Sequence, residues 1–285
     1  MTVRLWHLAH GRSLELGRQA RLMGILNVTP DSFSDGGRYA EVEAAVAQAF
    51  AMVEAGASII DIGGESTRPG ATEVDASEEQ ARVLPVISAL RQKTEVIISI
   101  DTYRASTARL AIEAGAHIVN DVHGLQREPD IAEVARDTGA GLVIMHTGRG
   151  REKLADVIAD QFRFLQQSLE IAFASGISPD RIVLDPGFGF AKDPQENIDL
   201  MARFVELLAL NYPWLIGTSR KRLLGHLTGR DPINRDPSTA VTSAMLRMAG
   251  ADIFRVHDVA MNKDALAIAD AVLASRLAKS DDLPR

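Results

Sequence analysis

Two sets of side chains in this sequence could do chemistry together. Asn27, Arg68, Arg255 and His257 form a cationic, hydrogen-bonding set. Guanidinium forks pair with phosphate oxygens two at a time, so this set suits a phosphate or diphosphate. Asp101, Asn120, Asp185 and Lys221 combine acceptors with donors. That combination suits a flat heterocycle with N–H donors and ring acceptors. Together the sets imply a heterocycle attached to a phosphorylated group. A hard cation bound through Asn27 and phosphate oxygens fits magnesium chemistry. No H-x-H or H-E-x-x-H pattern occurs, which argues against a zinc hydrolase. Ser219 lacks the G-x-S-x-G setting of a hydrolase nucleophile.

These residues are distant in sequence, so the fold must gather them. Eight short apolar runs read as strands: Leu22 to Asn27, Ser58 to Ile62, Val96 to Asp101, His117 to Asn120, Leu142 to His146, Arg181 to Asp185, Trp214 to Gly217 and Ile253 to His257. Most are nearly continuous Ile, Val and Leu, as in parallel strands buried on both faces. Helical segments alternate with them: Ala40 to Ala55, one starting at Ser77 with a Ser77–Gln80 capping pattern, Ala105 to Ala114, Asp130 to Asp137, Lys153 to Ala174, Pro194 to Leu208, Pro237 to Ala249 and Lys263 to Leu277. Gly56, Gly115, Gly176 and Gly250 each stand just before a strand, where a left-handed helix cap belongs. Eight strand–helix units predict an α/β chain closed as a single (β/α)8 TIM barrel. An open doubly wound sheet is the alternative, but its G-x-G-x-x-G turn is missing after the first strand.

In a barrel the C-terminal strand ends converge on one face, where active sites sit. Those ends carry Asn27, Asp61 with the following Gly63–Arg68 run, Asp101, Asn120-Asp121, His146, Asp185, Ser219-Arg220-Lys221, Arg255 and His257. Taken singly, Asn27, Asp101 and Asp185 read best as caps. Asp61 reads equally as a buried carboxylate bonded to nearby backbone or as a ligand. The joint pattern over eight strands favours a site. Met23 and Met145 read as core, His123 and His226 as incidental surface or loop residues. The acidic run Glu73 to Glu79 reads as a solvated helix start. Phe188 and Phe190 fit either core or a wall for a planar ligand.

Val3 to His7 and Ser13 to Leu16 flank Gly11 as a small hairpin, expected over the barrel's N-terminal end. The domain reading is therefore a hairpin extension over 1–20, the barrel over 21–279 and a frayed polar tail over 280–285. The chain has 285 residues, 46% hydrophobic, and a net charge of −7 from 31 basic and 38 acidic residues. The length accommodates one barrel. The acidic balance argues against a general nucleic-acid binder. No apolar run reaches membrane-span length and no signal peptide is evident, so a cytoplasmic protein is expected. With no cysteine, disulfides, thiolate metal sites and a cysteine nucleophile are excluded.

Several segments match a known family. Gly24-Ile25-Leu26-Asn27-Val28-Thr29-Pro30-Asp31-Ser32-Phe33-Ser34-Asp35-Gly36-Gly37 resembles the first signature of the dihydropteroate synthases, which are pterin-binding enzymes. Asp61-Ile62-Gly63-Gly64-Glu65-Ser66-Thr67-Arg68-Pro69-Gly70 resembles the second. Ser99 to Thr102, Asn120-Asp121, Leu184 to Phe190, Ser219-Arg220-Lys221 and Arg255 to Asp258 follow in family order.

The resemblance implies a transferase. It would condense (7,8-dihydropterin-6-yl)methyl diphosphate with 4-aminobenzoate to 7,8-dihydropteroate and diphosphate in folate synthesis. It would use magnesium (Mg2+), with Asn27 as the metal-binding residue, and act as a homodimer. Asp101, Asn120, Asp185 and Lys221 would hold the pterin. Asn27, Thr67, Arg68, Arg255 and His257 would hold the diphosphate. Asp35, Lys221 and Arg255 would serve catalysis, and Phe33 and Pro69 would close over the aminobenzoate on two mobile loops. The sequence departs from the family at Arg222, where Ser is usual after the Lys, and over His146 to Arg151. One rival is a methyltetrahydrofolate-dependent methyltransferase, which needs no diphosphate patch. The other is a catalytically silent pterin binder, against which Asp35, Arg68, Lys221 and Arg255 stand intact.

Overall fold

The apolar runs pair as a parallel sheet because their side chains are buried on both faces. The computed structural model describes residues 3–29, 37–65 and 73–281. The elements run β1 (Arg4–His7), β2 (Ser13–Leu16), β3 (Arg21–Asn27), α1 (Gly37–Ala55), β4 (Ile59–Gly63), α2 (Ala76–Lys93), β5 (Ile97–Asp101), α3 (Ala105–Glu113), β6 (Ile118–Asp121) and α4 (Asp130–Thr138). They continue as β7 (Gly141–Met145), α5 (Val157–Ala174), β8 (Ile182–Asp185), α6 (Pro194–Ala202), α7 (Phe204–Leu207), β9 (Leu215–Ile216), α8 (Arg222–Thr228), α9 (Asp236–Met248), β10 (Ile253–Val256) and α10 (Val259–Asp281). The sheet order is β8-β7-β6-β5-β4-β3-β10-β9. A parallel bridge between Leu184 and Trp214 joins its two edges, so the eight strands close as a TIM barrel.

Side chains alternate across each strand. One set, including Leu26, Ile60, Ile98, Val119, Leu142, Leu184 and Phe254, joins the large core with the helices. The other set enters the barrel. Its lowest layer is Met23, Ile59, Ile97, Ile118, Val143, Val183, Leu215 and Ile253. The antiparallel hairpin β1–β2 plugs this end, where Trp6, Leu8 and Leu16 pack on that layer. Gly141 admits the plug, since a Cβ there would stand 2.4 Å from Leu8 Cδ2. The expected hairpin and its placement agree with the structure.

Several element ends differ from expectation. The cap of α2 is Asp75, whose carboxylate accepts from Glu78 N at 2.8 Å, while Ser77 Oγ donates to Asp75. A carboxylate is the stronger acceptor, so the helix starts there. Helix α5 begins at Asp156, whose side chain accepts from Ala159 N. The preceding Lys153 reaches sideways to Glu196 and the Ala191 carbonyl. The predicted Pro194–Leu208 helix breaks at Arg203 (φ −104°, ψ 11°). Helix α10 starts four residues early because Asp258 caps Met261 N, and it extends to Asp281, inside the start of the expected tail. Short α8 was not expected. Glycines 56, 115, 176 and 250 all have positive φ, as their position predicts.

Candidate active site at the barrel mouth

Two residues beyond each apolar barrel position lies the next inward one. That step takes Ile59 to Asp61, Ile97 to Ser99 and Asp101, Ile118 to Asn120, Val183 to Asp185 and Ile253 to Arg255. The sheet register sets Asp61 beside Ser99, and Asn27, Gly63 and Asp101 in a row with Asn120. A polar layer therefore sits directly on the apolar one, at the C-terminal end of the barrel.

Arg255 is the centre of this layer. Its Nε donates to Asp61 Oδ2 at 2.6 Å and its Nη2 to Asp101 Oδ2 at 2.7 Å. Asn120 Nδ2 donates to the same Asp61 oxygen at 3.2 Å. Asp61 thus bonds side chains, not backbone, and its Oδ1 is buried with no partner among the described residues. Burial raises the Asp101 carboxyl above its usual range, against the pull of Arg255. Burial pulls down on Arg255, but Asp61 and Asp101 prevail and keep it firmly charged.

The second cluster surrounds Asp185, which is 4% exposed. Its Oδ1 accepts from Gly187 N at 2.7 Å, so the capping role is real. A Cβ at Gly217 would lie 3.6 Å from Lys221 Nζ and 3.8 Å from Asp185 Oδ2. The bare glycine leaves these two groups lining one gap. Burial lowers Lys221 to about 8, with Asp185 opposing. Burial also raises Asp185, with Lys221 opposing. Lys221 Nζ donates to the Phe188 carbonyl and lies 4.7 Å from the Phe190 ring centre.

Phe188 is 1% exposed and belongs to the core, whereas Phe190 packs with Tyr103, Val122 and Met145 as one wall of the mouth. Met145 is buried in that wall, while Met23 lies in the lower layer. Ser219 Oγ meets Nδ1 of His257 at 2.9 Å and accepts from its backbone N–H, orienting the imidazole. Asn27 ends β3 at the rim. Arg222 is exposed at the first position of α8.

Some strand-end residues turn away. Asp121 accepts from His123 N and Leu125 N, capping its own turn, and His146 points behind β7 toward Asp160. Arg220 pairs with Asp236. Phe33, Asp35, Thr67, Arg68 and Pro69 lie outside the described residues.

One cluster was not foreseen. Arg104 Nη1 donates to Glu65 Oε2 at 2.7 Å and to Glu79 Oε2 at 3.1 Å, and its Nη2 donates to the Val74 carbonyl. It therefore ties Glu65 to Val74, which flank residues 66–72 in the sequence. Tyr103 lies between Arg104 and Arg127, whose guanidinium carbons stand 4.4 and 4.2 Å from the ring centre. Glu79 is 1% exposed, so the acidic run is not wholly solvated. A sequence signal existed: Glu79 falls in step with Val83, Val86, Ile87 and Leu90 on the buried stripe of α2.

The pterin binding enzyme family profile matches residues 23–257. The dihydropteroate synthase of Synechocystis sp. is 44% identical, covering 90% of this chain and 91% of its own. A Xanthomonas albilineans dihydropteroate synthase structure with 4-aminobenzoic acid has a TM-score of 0.89 at 44% identity, covering 94% of this chain and 98% of that one. Another from the same organism, with 7,8-dihydropteroate, has a TM-score of 0.85 at 40% identity, covering 94% and 99%. With its barrel, its polar mouth and this likeness over nearly its whole length, the chain belongs to the pterin-binding enzyme family, among the dihydropteroate synthases.

Proposed function

We propose that this transferase condenses (7,8-dihydropterin-6-yl)methyl diphosphate with 4-aminobenzoate, giving 7,8-dihydropteroate and diphosphate in folate synthesis. The observation that carries the reading is the polar layer itself: Asp185 and Lys221 line one gap and Arg255 stands across the barrel between Asp61 and Asp101. Its neighbours in structure hold the amine substrate and the product of this reaction.

The pterin lies across Asp185, Asn120, Asp101 and Lys221. A pterin offers a ring N–H beside an exocyclic amine, which a carboxylate accepts, and ring acceptors that suit Asn120 and Lys221. The diphosphate lies outward, against Asn27, Thr67, Arg68, Arg255 and His257. Two nitrogens of Arg255 bond carboxylates, so Nη1 is its nitrogen for the anion. The C–O bond to diphosphate breaks with its electron pair leaving on oxygen, and positive charge develops on the methylene, conjugated with the pterin. Asp35 stabilises that charge. The arylamine lone pair then forms the C–N bond and the nitrogen loses a proton. Donors fixed on the leaving group lower the barrier because they need no reorganisation. Phe33, Pro69 and the Phe190 wall enclose the arylamine.

Magnesium fits the rim. A Cβ at Gly63 would lie 3.7 Å from both Asn27 Oδ1 and Asp101 Oδ2, so two hard oxygens stand close together there, the second also accepting from Arg255. Asn27 would hold it, and when bound it neutralises charge on the leaving group.

A homodimer is supported by the outer face of α9 and α10. Val241 and Met245 are 59% and 55% exposed on one, and Ile268 is 69% exposed on the other. An apolar stripe of this kind suits a second copy. No helix among the described residues is long and apolar enough to cross a membrane. The enzyme acts in the cytoplasm on small-molecule substrates, and its acidic charge weighs against a nucleic-acid partner.

The test is release of inorganic diphosphate on mixing both substrates. Release that needs 4-aminobenzoate and yields dihydropteroate is the expected result. No release with folded, pterin-binding protein would instead mark a silent pterin binder.

A further inference from the structure

Beneath the Asp185 turn lies a buried lysine that no step above uses, its ammonium lowered by burial to about 7. Lys192 is 8% exposed, and its Nζ donates to the Gly187 carbonyl and to His146 Nδ1, both at 2.8 Å. Burial, aided by the charge of Lys192, lowers His146 to about 3, so its ring is neutral. His146 Nε2 stands 3.0 Å from Asp160 Oδ2 and 2.9 Å from Arg151 Nη2. Arg151 and the Leu154 N–H donate to Asp160 Oδ1, each at 2.9 Å. A chain of bonds thus runs from Asp160 through His146 and Lys192 to Gly187.

Its far end is the turn that aims Asp185. Four successive carbonyls there each have a donor. His146 N serves Asp185, Gln161 Nε2 serves Pro186, Lys192 Nζ serves Gly187 and Lys221 Nζ serves Phe188. Gly187 has φ +62°, and a Cβ there would stand 1.9 Å from the His146 carbonyl oxygen. The same residue gives its N–H to Asp185 Oδ1 and its carbonyl to Lys192.

We propose that Lys192 is a positioning residue for pterin recognition, holding the Gly187 turn so that Asp185 presents its second oxygen to the pterin. This rests on the reading that Asp185 binds the pterin. Charge supports the geometry. Burial pushes Asp185 toward its protonated form, and Lys221 and Lys192 act against it. The carboxylate, unlike the acid, accepts two N–H donors.

Lys192→Met keeps the stem and removes the donors. Titration calorimetry on the full chain with 6-hydroxymethylpterin should show affinity lower by about thirtyfold or more, the order of a lost buried charge-assisted contact. Affinity for inorganic diphosphate should stay within about twofold, since the anion site is separate. KM for the pterin diphosphate should rise while that for 4-aminobenzoate holds. Because Lys192 acts through Asp185, adding Lys192→Met to Asp185→Asn should cost less than about threefold more. Unchanged pterin affinity in Lys192→Met, or its full factor added to Asp185→Asn, overturns the inference. Wild-type affinity in Asp185→Asn alone overturns the pterin reading of Asp185, and this inference with it. If Lys192→Met does not fold, Lys192→Gln, which retains one shorter donor, is judged by the same criteria.

Discussion

Replacing Asp185 by asparagine exchanges one oxygen for an amide nitrogen where both oxygens have distinct work. Oδ1 accepts from Gly187 N at 2.7 Å, and an asparagine oxygen keeps that bond, so the turn and the fold survive. The nitrogen then takes the place of Oδ2, facing the gap shared with Lys221 Nζ. A donor would meet a donor on the ligand side and an ammonium on the other. At 4% exposure no bulk water makes good the loss. A charge-assisted hydrogen bond contributes about 1.5–3 kcal/mol, and a buried unpaired donor costs about 1–3 kcal/mol. The two overlap, so about 3 kcal/mol is expected, or roughly 100-fold in Kd. Titration calorimetry with a pterin reads this directly, with inorganic diphosphate as the internal control. Pterin affinity within about threefold of wild type would refute the assignment and leave Asp185 as a cap alone.

Three further outcomes follow from the same geometry. Lys221, lowered by burial to about 8, is an ammonium below that pH and an amine above it, so kcat/KM for the pterin substrate should fall as pH rises through 8. Lys221→Arg, charged throughout, should lose that limb; a limb still near 8 would assign it to another group. Arg255→Ala leaves buried Asp61 and Asp101 without their cation and should cost about 3–5 kcal/mol in urea unfolding at pH 8. Burial already raises Asp101, so without Arg255 it protonates more readily and the deficit should shrink at lower pH; a pH-independent deficit would argue against this origin. Arg104→Ala unties Glu65 and Val74, which flank Thr67, Arg68 and Pro69 in the sequence. It should raise KM for 4-aminobenzoate by about tenfold while pterin affinity holds, and unchanged steady-state kinetics would remove Arg104 from the site's support.

Strand positions were legible because buried parallel strands are continuous apolar runs, and Ile59-Ile60-Asp61-Ile62 announces both a strand and an exception. The inward parity of Asp61, Asp101, Asp185 and Arg255 follows from counting in twos above the apolar layer. Helix starts were less legible. Both Asp75 and Ser77 can cap α2, and only the geometry decides that the carboxylate does. Short α8 has too few residues to show a period, and so escaped notice. Least legible were the partners of buried charges. Lys192, Asp160 and Arg104 belong to loops and helices far apart in sequence, and no local pattern couples them to the strand ends they serve.

The charges of the barrel mouth give a reason for the loops. Asp61 and Asp101 face Arg255, and Asp185 lines one gap with Lys221. Burial pushes Asp101 up to about 7 and toward its neutral acid, which brings the layer close to neutral, and an unpaired charge there costs several kcal/mol. A neutral floor suits a neutral heterocycle, which needs donors and acceptors but no net field. It does not suit a diphosphate, whose charge must then be met above the floor. His257, held by Ser219, and Nη1 of Arg255 supply part of that. On the proposed function the remainder would fall to Arg68 and to a cation at Asn27. Binding order is therefore a consequence of layering: the pterin ring can dock on the preformed floor, while capture of the anion depends on groups outside it. On this argument a pterin without diphosphate should bind with little dependence on salt, and inorganic diphosphate should bind with a strong one.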